Sequence, residues 1–426
     1  MRVLHFIYRY WPGLGGAENY LREISERLVG EGHQVTIATS DADETELFWN
    51  PAKRRLSQPV ASHNGVQIVR FPLRHWPLAP LSYSIWRYLV FGLLMAHSGL
   101  PIAWLTWLAR FTPWTPDLWQ WIETTPPQFD IVGAMGVLYE SFVTAACRAA
   151  TRWQTPWVFY PLTHLGAGAR PGHDSVSRYY TMPHQIALVR AADKVILTTP
   201  TEAQFYASHG VAADRMQIGG AGVNPAQVVG GNADRFWARH QVAGPIVTFL
   251  SAMTYDKGAI TLVEALRRLW HQGEKIELVM AGTVLDPFRR YLLRLPRTER
   301  ERVRVLGSIT EEEKRDLLAA SDVVVMPSRT DSFGIIYLEA WLYQKPVIGA
   351  RAWGMADVIE HGRDGWLVPF GDEEALAQAL HELLANPALR LALGRRGESK
   401  TLTTYTWDAV YARVRGAYLA RDPRVN

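Results

Sequence analysis

DSFGIIYLEAW, residues 331–341, sets two acids eight positions apart around a Phe-Gly pair. Just upstream, VVVMPS reads as a buried strand and RTDS as a loop. FGIIYLEAWLY then begins a helix with Ile335, Leu338 and Leu342 facing inward. On that reading Asp331 stands just outside the helix N-terminus and Glu339 about two turns inside it. At about 100° per residue the two side chains point about 80° apart. They are therefore not a stacked carboxylate pair dividing acid and base roles over one bond. Two readings remain. In one, Asp331 caps the helix and Glu339 is a partly buried, paired acid. In the other, the helix N-terminus and the Ser332–Gly334 amides receive a diphosphate. Asp331 then contacts a group beyond it, and Glu339 accepts hydrogen bonds from hydroxyls on the nucleoside side.

Working outward, the same alternation of short β-rich runs with helical stretches continues on both sides. PIVTFLSA, IELVMAG, VRVLG, VVVMPS and PVIGA are strands of a block that starts near Pro245, with AITLVEALRRLW as a helix between the first two. DEEALAQALHELLANP closes the block, with Asp372 as N-cap and Pro387 beyond the helix end. An earlier block begins at Val3–Tyr8 and continues through HQVTIATS, GVQIVRF, FDIVGAMG, PWVFYPL and DKVILTT. This pattern implies α/β architecture, with parallel sheets covered on both faces. Residues 223–244, rich in Gly, Asn and Ala, read as the connection between the blocks.

At 426 residues, with 48% hydrophobic and 20% charged side chains, the chain describes two globular domains. A net charge of +4 tolerates anionic small molecules or an anionic membrane surface, and no long basic run points to nucleic acid. Lys53-Arg54-Arg55 reads as a solvated loop. Cys147 is the single cysteine, which fits a reducing, cytoplasmic compartment, and TAACRAA around it reads as a helix face rather than a nucleophile site. MRVLHFIY runs straight into a Gly-rich turn and reads as a first strand, not a leader.

The stretch from Arg70 to Thr125 breaks the alternation and holds seven of seventeen tryptophans. It reads either as a helical subdomain packed on the first sheet or as an interfacial surface for a lipid-linked or aromatic partner. Within it, Tyr88–Ala109 has no charged residue and is long enough to span a bilayer, yet Gly99, Pro101 and His97 favour two shorter helices.

Ligands of doubly wound sheets bind at the carboxyl ends of the strands. GLGGAE, Gly13 to Glu18, follows the first strand, but Glu18 stands where a dinucleotide fingerprint needs its last glycine. The loop reads as a phosphate or sugar contact or as a tight turn. YDKG, Tyr255 to Gly258, occupies the equivalent loop of the second block and offers Lys257 to a phosphate. DAD at Asp41–Asp43 has the form of a metal-binding pair without a further ligand, so no metal site is expected.

DSFGIIYLEAWLYQKPVIGA and GMADVIEHGRDGWLVPFGD, with GGAE at 15–18 and DKG at 256–258, resemble the retaining glycosyltransferases of family four. The resemblance implies the GT-B fold: two Rossmann-like doubly wound domains facing a central cleft. It divides the chain into residues 1–226 on the acceptor side, including the Trp-rich insertion at about 70–125, and 227–407 on the donor side. A helix over about 408–426 packs back on the first domain. It implies transfer of a sugar from a nucleotide-diphosphate sugar to a glycan or lipid-linked acceptor, without cofactor or metal. His164 in YPLTHLG, Asp331 and Lys257 take the catalytic positions. Gly15, Gly16, Ser332, Phe333, Gly334, Ile335 and Glu339 take the donor-binding ones.

Three departures accompany it: Asp331 where the family usually has Glu, Ser251-Ala252 where it often has Gly-Arg, and Trp353 where a second glycine is common. They keep two alternatives in view, a non-catalytic GT-B sugar-binding or assembly subunit and a nucleotide-sugar epimerase. The expected location is cytoplasmic, with association at the cytoplasmic face of a membrane.

Overall fold

Strands rich in Val, Ile and Leu, buried on both faces, form two sheets in which parallel pairing dominates, because helices cover each face. The computed structural model describes residues 1–13, 15–79, 81–96, 101–242 and 244–419. The first sheet comprises β1 (Arg2–Phe6), β2 (Gln34–Ser40), β3 (Val60–His63), β4 (Val66–Phe71), β5 (Ile131–Met135), β6 (Trp157–Tyr160), β7 (Lys194–Leu197) and β8 (Met216–Ile218). Their spatial order is β3-β4-β2-β1-β5-β6-β7-β8. The second sheet comprises β9 (Ile246–Leu250), β10 (Glu277–Ala281), β11 (Val303–Gly307), β12 (Val323–Met326), β13 (Val347–Ala350) and β14 (Gly365–Val368). Its order is β11-β10-β9-β12-β13-β14.

Strand order reverses where β1 pairs with β5 and where β9 pairs with β12. At such a switch point the loops diverge to either side of the sheet and leave a crevice. The loops after β1, β5, β9 and β12 all reach one cleft between the halves. That placement positions the site.

Expected strands are found throughout, and three more appear: β3, β8 and β14. β3 is antiparallel to β4, joined to it by Asn64-Gly65. The connection over 223–244 contains the helices Pro225–Val228 and Ala233–His240. Asp372 caps the helix Glu373–Ala385 as expected, accepting from the Ala375 amide at 2.9 Å.

The Trp-rich segment folds as the helices Leu81–Ala96, Ile102–Ala109 and Pro116–Thr124. Tyr88–Ala109 is thus divided between two helices, as its sequence favours; His97 and Gly99 lie outside the described residues. Among the described residues no helix is long and apolar enough to cross a membrane. Trp76 stacks on Trp86 and Trp114 at 5.9 and 5.1 Å, and Leu118 and Ile122 join the core of the first sheet. Tyr88, Trp104 and Trp107 remain exposed, so residues of both kinds expected there are present.

A helix over Trp407–Leu419 returns to the first half; residues 420–426 of the expected range lie outside the described residues. Arg27 pairs with Asp408 at 2.8 Å and Arg415 with Glu31 at 2.7 Å. Tyr418 Oη lies 3.1 Å from Nε2 of the buried His5, whose Nδ1 is 2.9 Å from Ser25 Oγ.

Candidate active site in the interdomain cleft

The cleft encloses a cavity of about 380 Å³ lined from both halves. Its C-terminal wall is built on two loops. After β9 the chain turns through Ser251 to Lys257-Gly258, where the helix Ala259–His271 begins. Gly258 has φ 79°, and a Cβ there would lie 2.5 Å from the Pro327 carbonyl, so the β9 loop approaches the β12 loop as only glycine allows. This approach brings Lys257 Nζ to 2.8 Å from Asp331 Oδ2 and 3.1 Å from the Thr330 carbonyl.

Burial works to raise the Asp331 carboxyl, but Lys257, and secondarily His164, outweigh it and hold the group below its usual range. Asp331 is therefore an ionised carboxylate beside a lysine at neutral pH.

The helix after β12 starts at Ile335, with Gly334 as N-cap at φ 89°. Asp331 is thus not the cap, which corrects that alternative. Glu339 is about one turn inside the helix, not two, because Asp331–Phe333 is a loop. The 80° estimate, which assumed continuous helix between the two acids, does not apply. Glu339 Oε1 accepts from Lys314 Nζ at 3.0 Å, and Lys314 also pairs with Glu311 at 2.8 Å. Burial raises the Glu339 carboxyl despite Lys314.

The N-terminal wall is aromatic. Tyr8, Tyr139 and Tyr180 line it with Leu138, Leu162 and His164. The His164 ring stacks on Tyr180 with centroids 4.3 Å apart, and its buried Nδ1 has no hydrogen-bond partner among the described residues. Burial first, then the charge of Lys257, push His164 down to about 4, so it is neutral at pH 7. Beside the Gly15–Gly16 loop, Arg9 Nε donates to the buried Glu18 at 2.7 Å. A Cβ on Gly15 would meet Glu18 Oε2 at 2.3 Å.

Gly16, His164, Asp331, Ser332, Phe333, Gly334 and Ile335 all line the one cavity. Lys257 reaches it through Asp331, whereas Gly15 and Glu339 flank it without lining it. Several neighbours escaped the sequence reading. Tyr180 and Lys314 carry no local signal. Arg329 binds Asp256 beside Lys257 at 2.7 Å and lies 4.9 Å over the Phe370 ring, on the same loop as Asp331. Trp353 does not line the cavity; it crosses to the other half.

Asp41 and Asp43 are engaged elsewhere. Arg55 pairs with Asp41 at 2.6 Å, and Arg54 with Asp43 at 3.0 Å. The basic triplet is therefore an ion-pairing loop rather than a freely solvated one, with Lys53 on Glu44 at 2.8 Å. Cys147 sits half-buried on the helix Glu140–Trp153, its thiol raised by burial. His361 is an exposed turn residue whose Nδ1 accepts from the Leu367 amide.

Two Rossmann-like sheets with their switch points turned to one cleft define the GT-B class. Residues 15–222 match the glycosyl transferase 4-like domain, and residues 233–400 match the glycosyl transferases group 1. With both halves matched, the chain belongs to the GT-B glycosyltransferases of group 1, family four type, and is a transferase. Among relatives, the D-inositol 3-phosphate glycosyltransferase of Xylanimonas cellulosilytica is 29% identical over 430 residues, covering 96% of this chain and 93% of that one. The lipopolysaccharide core biosynthesis glycosyltransferase LpsE of Rhizobium meliloti is 28% identical over 239 residues, 56% of this chain and 68% of that one. Among solved structures, Anabaena HepE in complex with UDP and glucose superposes with a TM-score of 0.69 at 18% identity, covering 98% of each chain.

Proposed function

We propose that this chain transfers a sugar from a nucleoside-diphosphate sugar to a glycan or lipid-linked acceptor, with retention of anomeric configuration and without a metal ion. The observation that carries the reading is the Lys257–Asp331 ion pair at the second sheet's switch point, with His164 on the opposite wall of the same cavity. As the bond to the sugar breaks, negative charge grows on the departing diphosphate. A fixed ammonium stabilises that charge more in the transition state than in the ground state. Lys257 supplies it, and Asp331 turns toward a sugar hydroxyl as the phosphate takes over its lysine.

Neutral His164 accepts or donates a hydrogen bond at the sugar without adding charge. Glu339, held by Lys314, is one turn along the helix, on the side assigned to ribose hydroxyls. Asp331 is the one carboxylate among the described residues lining the cavity, and it is already paired with a lysine. That favours same-face substitution over a covalent intermediate. The use of Asp41 and Asp43 by arginines supports a charge balance that relies on Lys257 instead of a metal ion.

The acceptor reading rests on the Trp-rich segment. Trp104 is 67% exposed and Tyr88 68% exposed, on helices that lack charged residues between Arg87 and Arg110. Such rings suit the headgroup level of a bilayer, here the cytoplasmic face. LpsE, by its name, builds lipopolysaccharide core, which agrees with a lipid-linked glycan. Flotation with vesicles containing anionic lipid should carry the protein upward, and Trp104→Ser with Trp107→Ser should leave it at the bottom. If the wild type also stays down at low salt, the membrane part of the reading is wrong.

The primary test is NMR of the purified protein with UDP-, GDP- and ADP-sugars in EDTA, starting from UDP-glucose because HepE binds it. Release of sugar in the donor's own anomeric form is expected. An inverted anomer, or activity abolished by EDTA, refutes the mechanism. Silence with every donor, and no binding of UDP, would favour the non-catalytic alternative.

A further inference from the structure

The halves are fastened across the cleft by residues remote from the connecting chain. Trp353 and Asp357 lie after β13, the latter on the short helix Met355–Val358. The Trp353 backbone amide donates to the Gly166 carbonyl at 2.8 Å, and its indole Nε1–H donates to the Gly168 carbonyl at 2.8 Å. The Trp353 ring packs against the apolar core of the opposite half. Asp357 accepts from the Thr201 amide at 2.7 Å and from its hydroxyl at 3.0 Å. Next to these, Thr198 Oγ1, which donates to Glu202 at 2.9 Å, lies 3.3 Å from the carbonyl of Ser332, the residue after Asp331.

The segment that Trp353 grips is the one carrying His164. Its far side is tied to Asp174, which accepts from the Ala167 amide at 2.8 Å and from the Val176 and Ser177 amides at 2.9 and 2.7 Å. Among the described residues the buried Nδ1 of His164 has no hydrogen-bond partner, and its ring stacks on Tyr180. Stacking sets the plane of a ring but allows it to slide, so the reach of His164 into the cavity is set by the backbone at 166–168. That backbone is held between Asp174 in its own half and Trp353 from the other.

We propose that Trp353 and Asp357 are positioning residues: a clasp across the cleft that sets the His164 loop against the Asp331–Lys257 pair. The catalytic consequence rests on the transferase reading, but the mechanical one does not.

The test is hydrogen exchange by mass spectrometry on the full chain and on Trp353→Ala, Trp353→Phe and Asp357→Asn, without added ligand. Trp353→Phe keeps an aromatic ring but removes the indole donor together with the five-membered ring. In each variant, amides of 163–178 should exchange faster by about threefold or more, with those of the second sheet unchanged. With UDP-glucose or whichever donor is turned over, kcat should fall about tenfold to a hundredfold while the donor KM moves less than about threefold. Unchanged exchange in 163–178 across all three variants overturns the proposal. So does acceleration spread evenly over the chain, which would mark Trp353 as packing alone. A local exchange response in a protein that turns over no donor would sustain the clasp and refute the proposed function.

Discussion

The two walls of the cleft are made of different chemistry. The C-terminal wall presents charge on short loops, with Lys257 and Asp331 at the ends of β9 and β12. The N-terminal wall presents rings: Tyr8 lies 4.5 Å from Tyr139, and Tyr180 stacks on His164. Its charges are spent on each other, Arg9 on Glu18 at 2.7 Å and Arg87 on Glu140 at 3.7 Å. Lys257 is about as covered as Arg9, at 20% and 16% exposed, but its partner Asp331 lines the cavity, and on the proposed reading a phosphate there takes over the lysine. In the Arg9–Glu18 pair it is the carboxylate that is buried, at 3% exposed, and neither residue lines the cavity. On the proposed reading, charge recognition belongs to one wall, and the other suits the faces of sugar rings and of an acceptor.

The largest effect should come from breaking the charged wall. Lys257→Ala is expected to lower kcat by about a hundredfold to a thousandfold, because the group facing developing charge is lost. A fall of less than threefold would show that the leaving group is stabilised elsewhere, with Arg9 the next cation to examine. Glu339→Gln sharpens the comparison within that wall. It keeps the shape and removes the charge, so the donor KM should rise about tenfold with kcat nearly intact, as for lost ground-state binding. A matching fall in kcat would place Glu339 in the chemistry.

The smallest effect concerns the aromatic half and reads out as acid sensitivity. His5 is depressed to about 3 and His164 to about 4, both chiefly by burial. Between the ordinary histidine value of 6.5 and these values, the unfolded chain takes up protons that the folded chain refuses. Stability is therefore lost as pH falls through that window. Tm measured from pH 7 to pH 4.5 should decline, and His5→Gln should flatten the decline. Equal slopes in the two proteins would mean that other groups govern it.

How far the fold was legible differs between the same two halves. In the second half, strand and helix periods alternate with short loops, and the motif around Asp331 anchors them, so five of the six strands and the Asp372 cap could be read directly, β14 being the exception. In the first half the β3–β4 hairpin went unread although Asn64-Gly65 announces such a turn. VASH is short and polar at an edge, and gives little hydrophobic signal. Lys257, Asp331 and Glu339 stand out in the sequence because they belong to local patterns, and of the three Asp331 lines the cavity. The start of the helix at Ile335 was misjudged because Phe333 and Gly334 fit a helical period while the backbone at Gly334 is left-handed. Lys314, Tyr180 and the reach of Trp353 are contacts between distant segments, and no local spacing encodes them.

The returning helix has a consequence for the order in which the protein is made. Tyr418 is hydrogen-bonded to His5, a contact spanning 413 positions, and Arg415 closes on Glu31 from the same helix. During synthesis the first sheet therefore emerges, and waits, with part of its apolar flank uncovered until residues 407–419 have left the ribosome. Quality control in the cell would meet that open flank on every nascent molecule. A chain stopped before Trp407 would hold both sheets and leave the first one permanently unsealed.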